Sequence, residues 1–355
     1  MRFAIAGSSL LALSVLLLFL GGLLDGLYIG STGLIRSQKA ELIVFSSDSK
    51  DSLVRSRIDP GLRTTIESVE GVATTGGLGV ALVGGRVPGK EDLANLSVTG
   101  FELPVSSMPS DLQLQPGTAL ADRSLEGAGV KVGQTVEVGS APTPVEVVGW
   151  VKDTDFLQQG GFFVEPATWR EILARSRPDS NLPEGTFQAI AVDVADGADA
   201  QAVADAIDSA TGGATSTLTK EQAVRALPGI KEQNSTFSAI IYVTLFVAGL
   251  VVGLFFALLT LERLGLYAVF KAIGASSRQV FAGVITQSVS VAAVSFTLGA
   301  LVMWLLTFVL PPEVPVALVP SRLLQTGILL VVMSALGAAV SLRRVVRVDP
   351  ASAIG

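Results

Sequence analysis

Two residue types are missing altogether. The 355-residue chain contains no cysteine and no histidine, which excludes disulfides, thiol nucleophiles, Cys- or His-ligated metals and any Ser-His-Asp triad. Charge is scarce too. Only 16% of residues are charged and 49% are hydrophobic, whereas an ordinary soluble domain carries about 25% charged residues. A chain this apolar can bury surface along most of its length, so extended disorder is excluded and lipid contact is indicated. The formal net charge of −6 disfavours a nucleic-acid partner.

What the sequence does hold is four long runs without charge. Crossing a bilayer as a helix takes about 20 apolar residues. Ala4–Leu24, Ala239–Leu261, Val280–Leu310 and Leu323–Leu342 each meet that length. The third is long enough to tilt or to project beyond the lipid. The first outruns the apolar core of a signal peptide, and no small-x-small cleavage site follows it, so it reads as an anchor. The fold class expected is an α-helical membrane protein with four transmembrane helices and a large α+β extracytoplasmic domain between helices 1 and 2. Its parts are helix 1 within residues 1–30, the outer domain with its stalk over 31–236, and a membrane domain over 237–355. The last comprises helices at 239–261, 280–310 and 323–342, a connector at 262–279 and a tail at 343–355.

Charge orients this layout. With the amino terminus inside, the cytoplasmic pieces carry Arg2, Arg263, Lys271, Arg278, Arg343, Arg344 and Arg347 against Glu262 and Asp349, a net +5. The remaining 18 bases and 29 acids sum to −11. The positive-inside rule therefore places both termini and the 262–279 connector in the cytoplasm, and the large domain outside. Tyr242 and Trp304 fall near the outer helix ends, where interfacial aromatics collect.

Within the outer domain, Glu41–Phe45, Val136–Val138, Val145–Val151, Phe162–Glu165 and Phe187–Val194 read as strands. Leu62–Val69 and Ala200–Ala210 have helical spacing, and Pro166 suits the first position of a helix over Ala167–Arg175. Thr219-Lys220-Glu221-Gln222 fits a capping box. It opens a short helix that breaks at Pro228 and resumes near Gln233, a stalk feeding the second membrane helix.

Candidate chemistry is thin. Gly84-Gly85-Arg86-Val87-Pro88-Gly89-Lys90-Glu91 nearly matches a P-loop, but Glu91 stands where a Ser or Thr hydroxyl would hold Mg²⁺. A polar turn between two strands accounts for it better. Asp153, Asp155, Asp193, Asp196 and Asp199 lack the spacing of a Ca²⁺ loop and fit turn and helix-start roles. The four apolar runs hold no ionisable residue between their ends, which argues against an ion-coupled transporter. No catalytic, metal or cofactor residue is expected on this chain. Gly249-x-x-x-Gly253 is a close-packing pattern for helices in lipid, although glycine is also simply frequent in such helices.

The most informative stretch runs from Leu261 to Val280. It is short, amphipathic and basic, and Gly274 can end one helix before Ser276 or Ser277 starts the next. Its bases would follow from orientation alone. Its apolar ridge of Leu266, Val269, Phe270 and Ile273 suits docking to a cytoplasmic partner.

In Glu262-Arg263, Leu266, Lys271-Ala-Ile-Gly-Ala-Ser276, Arg278 and Gln279, this stretch resembles the coupling segment of FtsX/MacB-type ABC transporter permeases. Asp349-Pro350-Ala351 resembles the family's tail, and the four-helix layout is similar. In the outer domain, Asp59–Leu62, Glu70–Val72, Gly133-x-x-Val136 and Val147–Gly149 look like parts of a MacB-type core. The resemblance implies a homodimeric, non-catalytic permease of the bacterial inner membrane that docks an ATPase encoded elsewhere, which holds the ATP and Mg²⁺. Glu262, Arg263, Leu266, Phe270, Lys271, Ile273, Gly274, Ala275 and Arg278 would form the docking set. The implied work is export or extraction of a lipid, lipoprotein or amphiphile. The alternative is FtsX-like control of an extracytoplasmic cell-wall hydrolase. Two features depart from the family: no amphipathic helix precedes helix 1 in this sequence, and no ATPase domain is fused.

Overall fold

A computed structural model of the chain describes residues 2–108, 114–178, 182–227, 230–262, 269, 273, 276–311 and 314–345. In chain order its first elements are α1 (Arg2–Arg36), β1 (Leu42–Ser46), α2 (Pro60–Glu67), β2 (Val72–Arg86) and β3 (Leu93–Phe101). Then come β4 (Thr118–Asp122), β5 (Thr135–Val138), β6 (Thr143–Val151), β7 (Gly160–Val164), α3 (Pro166–Ser176) and β8 (Ala189–Val194). The last are α4 (Ala200–Ala210), β9 (Thr215–Thr219), α5 (Lys220–Ala226), α6 (Ile230–Glu262), α7 (Ser277–Leu306) and α8 (Pro320–Val345). Two compact units result: Met1–Gly26 with Gln233–Gly355, and Leu27–Glu232.

The first unit holds the membrane bundle, and among the described residues four helices are long and apolar enough to span. Small residues let these helices approach one another, as lipid-embedded bundles require. Ser295 Oγ donates to Gly7 O at 3.1 Å, and Ser288 Oγ to Ser334 O at 2.9 Å. Gly299 leaves room for Ser14, and Gly327 for the Phe296 ring. Much of the outward surface of α6, α7 and α8 is large and apolar, including Val243, Leu250, Leu298, Leu305, Ile328 and Val340.

The second unit is built on one sheet. Among the described residues its nine strands run β3-β7-β4-β6-β5-β2-β8-β1-β9, and β3 also pairs with β2. That extra pairing closes β2, β3, β7, β4, β6 and β5 into a ring. β2 is long enough to serve twice: Leu78–Arg86 pairs with β3, and Val72–Leu78 pairs with β8. Beyond the ring, β2, β8, β1 and β9 form an antiparallel four-stranded sheet.

Side-chain alternation covers both faces of that sheet. Leu42, Val44, Ile190 and Val192 share a core with Ile66 of α2 and Val203 and Ile207 of α4. Ile43, Phe45, Ala189 and Ala191 share the other with Leu34 and Ile35 of α1 and Ala223 and Val224 of α5. Helix starts are signed locally. Asp59 accepts the Leu62 N–H at 2.9 Å ahead of Pro60, and Asp199 accepts the Ala202 N–H at 2.8 Å. Thr219 and Gln222 bond each other's backbone N–H groups at the start of α5, the capping box expected there.

Glycine in β2 serves a large aromatic pair. Trp169 of α3 and Phe187 stack with ring centroids 5.9 Å apart and planes 6° from parallel. A Cβ on Gly77 would overlap Phe187, one on Gly79 would overlap the Trp169 indole, and one on Gly100 would sit 2.6 Å from Trp169 Cβ. The Arg170 guanidinium lies over both rings and donates to Thr186 O at 2.7 Å.

Two expectations are corrected. The first helix is not confined to residues 1–30: it continues to Arg36, because nothing in residues 25–36 breaks it and Leu34 and Ile35 are buried in the outer unit. Asp25 therefore lies inside a helix expected to hold no charge. The helix after the stalk begins at Ile230 rather than near Gln233, with Ile230 packed in the same core as α5. The P-loop look-alike is strand and turn: Gly84–Arg86 finish β2, and β3 starts at Leu93.

Candidate functional site

The connector between α6 and α7 is framed by two helix ends. α6 runs to Glu262, whose side chain is exposed. α7 opens at Ser276, which is the N-cap: Ser276 Oγ accepts the Gln279 N–H at 3.3 Å, and Gln279 Oε1 accepts the Ser276 N–H at 2.8 Å. This reciprocal cap fixes where the connector stops. Of the docking set, Arg263, Leu266, Phe270, Lys271, Gly274 and Ala275 lie outside the described residues. Ile273 is 75% exposed and Val269 56%, and the Ile273 N–H donates to Val269 O at 3.1 Å, one helical turn apart. Arg278 is exposed on the first turn of α7. Two apolar side chains of the ridge are thus presented to the surroundings.

Gly249 and Gly253 of α6 meet Gly337 of α8. A Cβ on Gly337 would overlap Gly249 O and lie 3.1 Å from Gly253 N, and one on Gly253 would lie 3.2 Å from Gly337 O. The backbones therefore touch at this crossing.

A charged contact in the same unit was not anticipated. Arg322 on the first turn of α8 grips Asp25 of α1, with Nη2 2.7 Å from Oδ1 and Nε 3.2 Å from Oδ2. The Asp25 side chain is 10% exposed. Beside the pair, the Ala317 N–H donates to Gly22 O at 2.9 Å, and the Pro315 carbonyl lies against Gly26 where a Cβ would not fit. Gly22-x-x-x-Gly26, followed far downstream by a lone Arg322, was the readable signal. A carboxylate this buried would cost several kcal/mol without its cation.

Three acidic residues of the outer unit, Asp199, Asp122 and Asp155, have structural partners. Asp199 caps α4. Asp122 accepts the Thr154 N–H at 2.8 Å and the Ser124 N–H at 2.9 Å. Asp155 accepts Ser124 Oγ at 2.7 Å and the Gly161 N–H at 3.1 Å. Among the described residues, no three Asp or Glu side chains gather as a metal site would.

Burial and then the neighbouring Asp122 charge, with a smaller push from Asp153, raise the Asp155 carboxyl to about 6, against the pull of its two hydrogen bonds. The folded chain therefore holds a proton that the unfolded chain releases between about pH 4 and 6. Stability attributable to this group is greatest below that window and falls as pH rises through it. Asp155→Asn keeps an acceptor for both donors without the charge. It should stabilise the full chain at pH 7.5 by about 2 kcal/mol and flatten the melting-temperature slope between pH 5 and 7.5. An unchanged slope in the variant would contradict the assignment.

The MacB-like periplasmic core domain family matches residues 12–210, and the FtsX-like permease C-terminal family matches residues 238–350. An uncharacterized ABC transporter permease of Mycobacterium bovis is 40% identical over 109 residues, 31% of each chain. Another, of Mycobacterium tuberculosis, is 36% identical over 109 residues, also 31% of each chain. The match thus spans less than a third of these relatives' length. Among solved structures, the periplasmic region of MacB from Actinobacillus actinomycetemcomitans is 13% identical, covering 55% of this chain and 96% of that one, with a TM-score of 0.37. The extracellular domain of the transporter YknZ from Gram-positive bacteria is 16% identical, covering 50% and 98%, with a TM-score of 0.32.

Proposed function

Because the chain belongs to the FtsX/MacB-type permeases of ABC transporters, we propose that it is a non-catalytic subunit passing work from a separate cytoplasmic ATPase to its outer domain. The observation carrying this reading is the framed connector. A short basic segment lies between the end of α6 and the Ser276 cap, with Val269 and Ile273 exposed on it. The Ser276 cap marks where a push through the connector would enter α7. In this reading two copies dock two ATPase subunits, which carry the ATP and Mg²⁺. Both termini and the connector lie in the cytoplasm, as the +5 against −11 charge split supports. The work done outside is export or extraction of a lipid, lipoprotein or amphiphile, as the resemblance to this family implies.

The test is a coupling assay. Coexpressed with its partner ATPase, the chain carrying Lys271→Glu and Gly274→Leu should insert normally but lose at least about tenfold of the transport-linked ATP turnover, roughly 1.4 kcal/mol of coupling. Unchanged coupling would remove the connector from the mechanism.

A further inference from the structure

The loop between β6 and β7 wraps the last turns of α1, and it does so under strain. Leu34 N–H of the helix donates to Asp155 O at 3.1 Å. In return, Gly30 O accepts the Gln158 N–H at 3.0 Å and Ser31 O accepts the Leu157 N–H at 3.3 Å. Gln158 Nε2 adds bonds to Leu27 O at 2.7 Å and Ser31 Oγ at 2.8 Å. Glycine makes the approach possible: a Cβ on Gly33 would lie 2.7 Å from Asp153 O and Asp155 N, and one on Gly30 would lie 3.0 Å from Gln158 Nε2. Three non-glycine loop residues, Asp153, Leu157 and Gln158, take left-handed φ values of 57°, 50° and 63°. L side chains disfavour that region, so the surrounding contacts must hold it. Asp122 at the end of β4 fixes Thr154, and Phe156 is buried in one core with Leu34 and Ile35.

Chain connectivity gives this contact its meaning. α1 leads through residues 37–41 into β1, and α5 follows β9, so both enter the four-stranded sheet. The loop belongs to the ring, since β6 and β7 are ring strands. A second tie, Ser106 N–H to Ser37 O at 2.7 Å with the Gln38–Val105 bridge beside it, holds residues beyond the helix end.

We propose that residues 153–159 are a clasp that fastens the outer end of α1 to the six-stranded ring, so that a shift of α1 reaches the ring through Gln158 and its neighbours. The four-stranded sheet takes its displacement from the chain itself. A difference in movement between α1 and α6 would then tilt the ring against the sheet. Gln158 acts here as a positioning residue, and the transmission step rests on the function proposed above.

Two measurements on the full chain in lipid nanodiscs test this. Hydrogen exchange should find the Leu34, Leu157 and Gln158 amides protected as one group. Gln158→Ala should speed exchange at Leu34 and Leu157 by at least about tenfold while leaving the β2–β8 pairing unchanged. Independent exchange of the three amides, or rates unmoved by Gln158→Ala, would overturn the clasp whatever the ATPase does. In the ATPase complex, spin labels at Ile29 and at exposed Val148 of the ring should keep one separation through ATP binding. Gln158→Ala should let that separation change. A separation that shifts equally in both chains would overturn the transmission step. If α1 fails to move at all relative to α6, the proposed function fails, whereas the exchange measurement still decides the clasp.

Discussion

A valine at position 79 should unfold the outer domain or leave it barely folded. Gly79 pairs directly with Gly100 across β2 and β3, and the Trp169 side chain lies over both positions. The ring has nowhere to retreat, because it is fully buried and stacked on Phe187, with Arg170 above. A branched side chain must therefore lift Trp169 off the sheet or bend β2 away from β3. Loss of large aromatic packing costs about 3–5 kcal/mol, and forced overpacking adds to it. That approaches the whole margin of a domain, about 5–15 kcal/mol. Thermal unfolding of the full chain in detergent, followed by tryptophan fluorescence, reads the effect. Trp169→Leu in the Gly79→Val background should recover part of the loss by shortening the obstructed side chain. A Gly79→Val chain that melts within a few degrees of the parent would contradict this account of the glycines.

Leucine at position 337 should disrupt the membrane bundle to a comparable degree. In lipid there is little hydrophobic drive between helices, so close packing of small residues and interhelical hydrogen bonds carry the association. Gly337 is where the α6 and α8 backbones touch, at Gly249 and Gly253. One turn away, Ser334 O receives the hydroxyl of Ser288 from α7. A side chain inserted at 337 separates α8 from α6 and strains the α7 contact with it. The expected loss is about 2–4 kcal/mol, read as an earlier unfolding midpoint in mixed micelles titrated with a denaturing detergent. Gly337→Ala should move the midpoint in the same direction by less. Parent-like stability for Gly337→Leu would show that the crossing does not hold the bundle.

The membrane helices were legible because their signal is cumulative: twenty uncharged positions cannot easily mean anything else. Helix starts with a polar cap were legible too. Thr219 declares itself through Gln222 three positions on, while Asp199 reads only as a helix-start residue and Ser276 only alongside Ser277; the structure shows all three as N-caps. Four strands had no legible bounds, although the turn at Gly84–Glu91 reads as joining two of them, and each had a physical disguise. β2 carries Gly76, Gly77, Gly79, Gly84 and Gly85, a composition that reads as loop until Trp169 and Phe187 are seen lying on it. β9, Thr-Ser-Thr-Leu-Thr, is mostly hydroxyls, three of whose backbone or side-chain groups are taken up by Asp208 of α4. β3 and β4 owe their place to ring closure, a long-range pairing that no local window reports. At the site, the start of α7 at Ser276 was readable from residue type and spacing. The Asp25–Arg322 pair was not read: its partners are 297 positions apart, and the Gly22-x-x-x-Gly26 spacing around Asp25 hints at close packing without naming the cation.

The absence of native cysteine makes the deciding measurement simple. A single cysteine replacing Ile273, exposed on the connector, should react in intact cells with a membrane-permeant maleimide and not with an impermeant one. Coexpression of the ATPase should then shield it from the permeant reagent. Those results would place the connector on the inner side of the membrane, under the cover of its motor. Labelling by the impermeant reagent from outside the cell would contradict the account at its base.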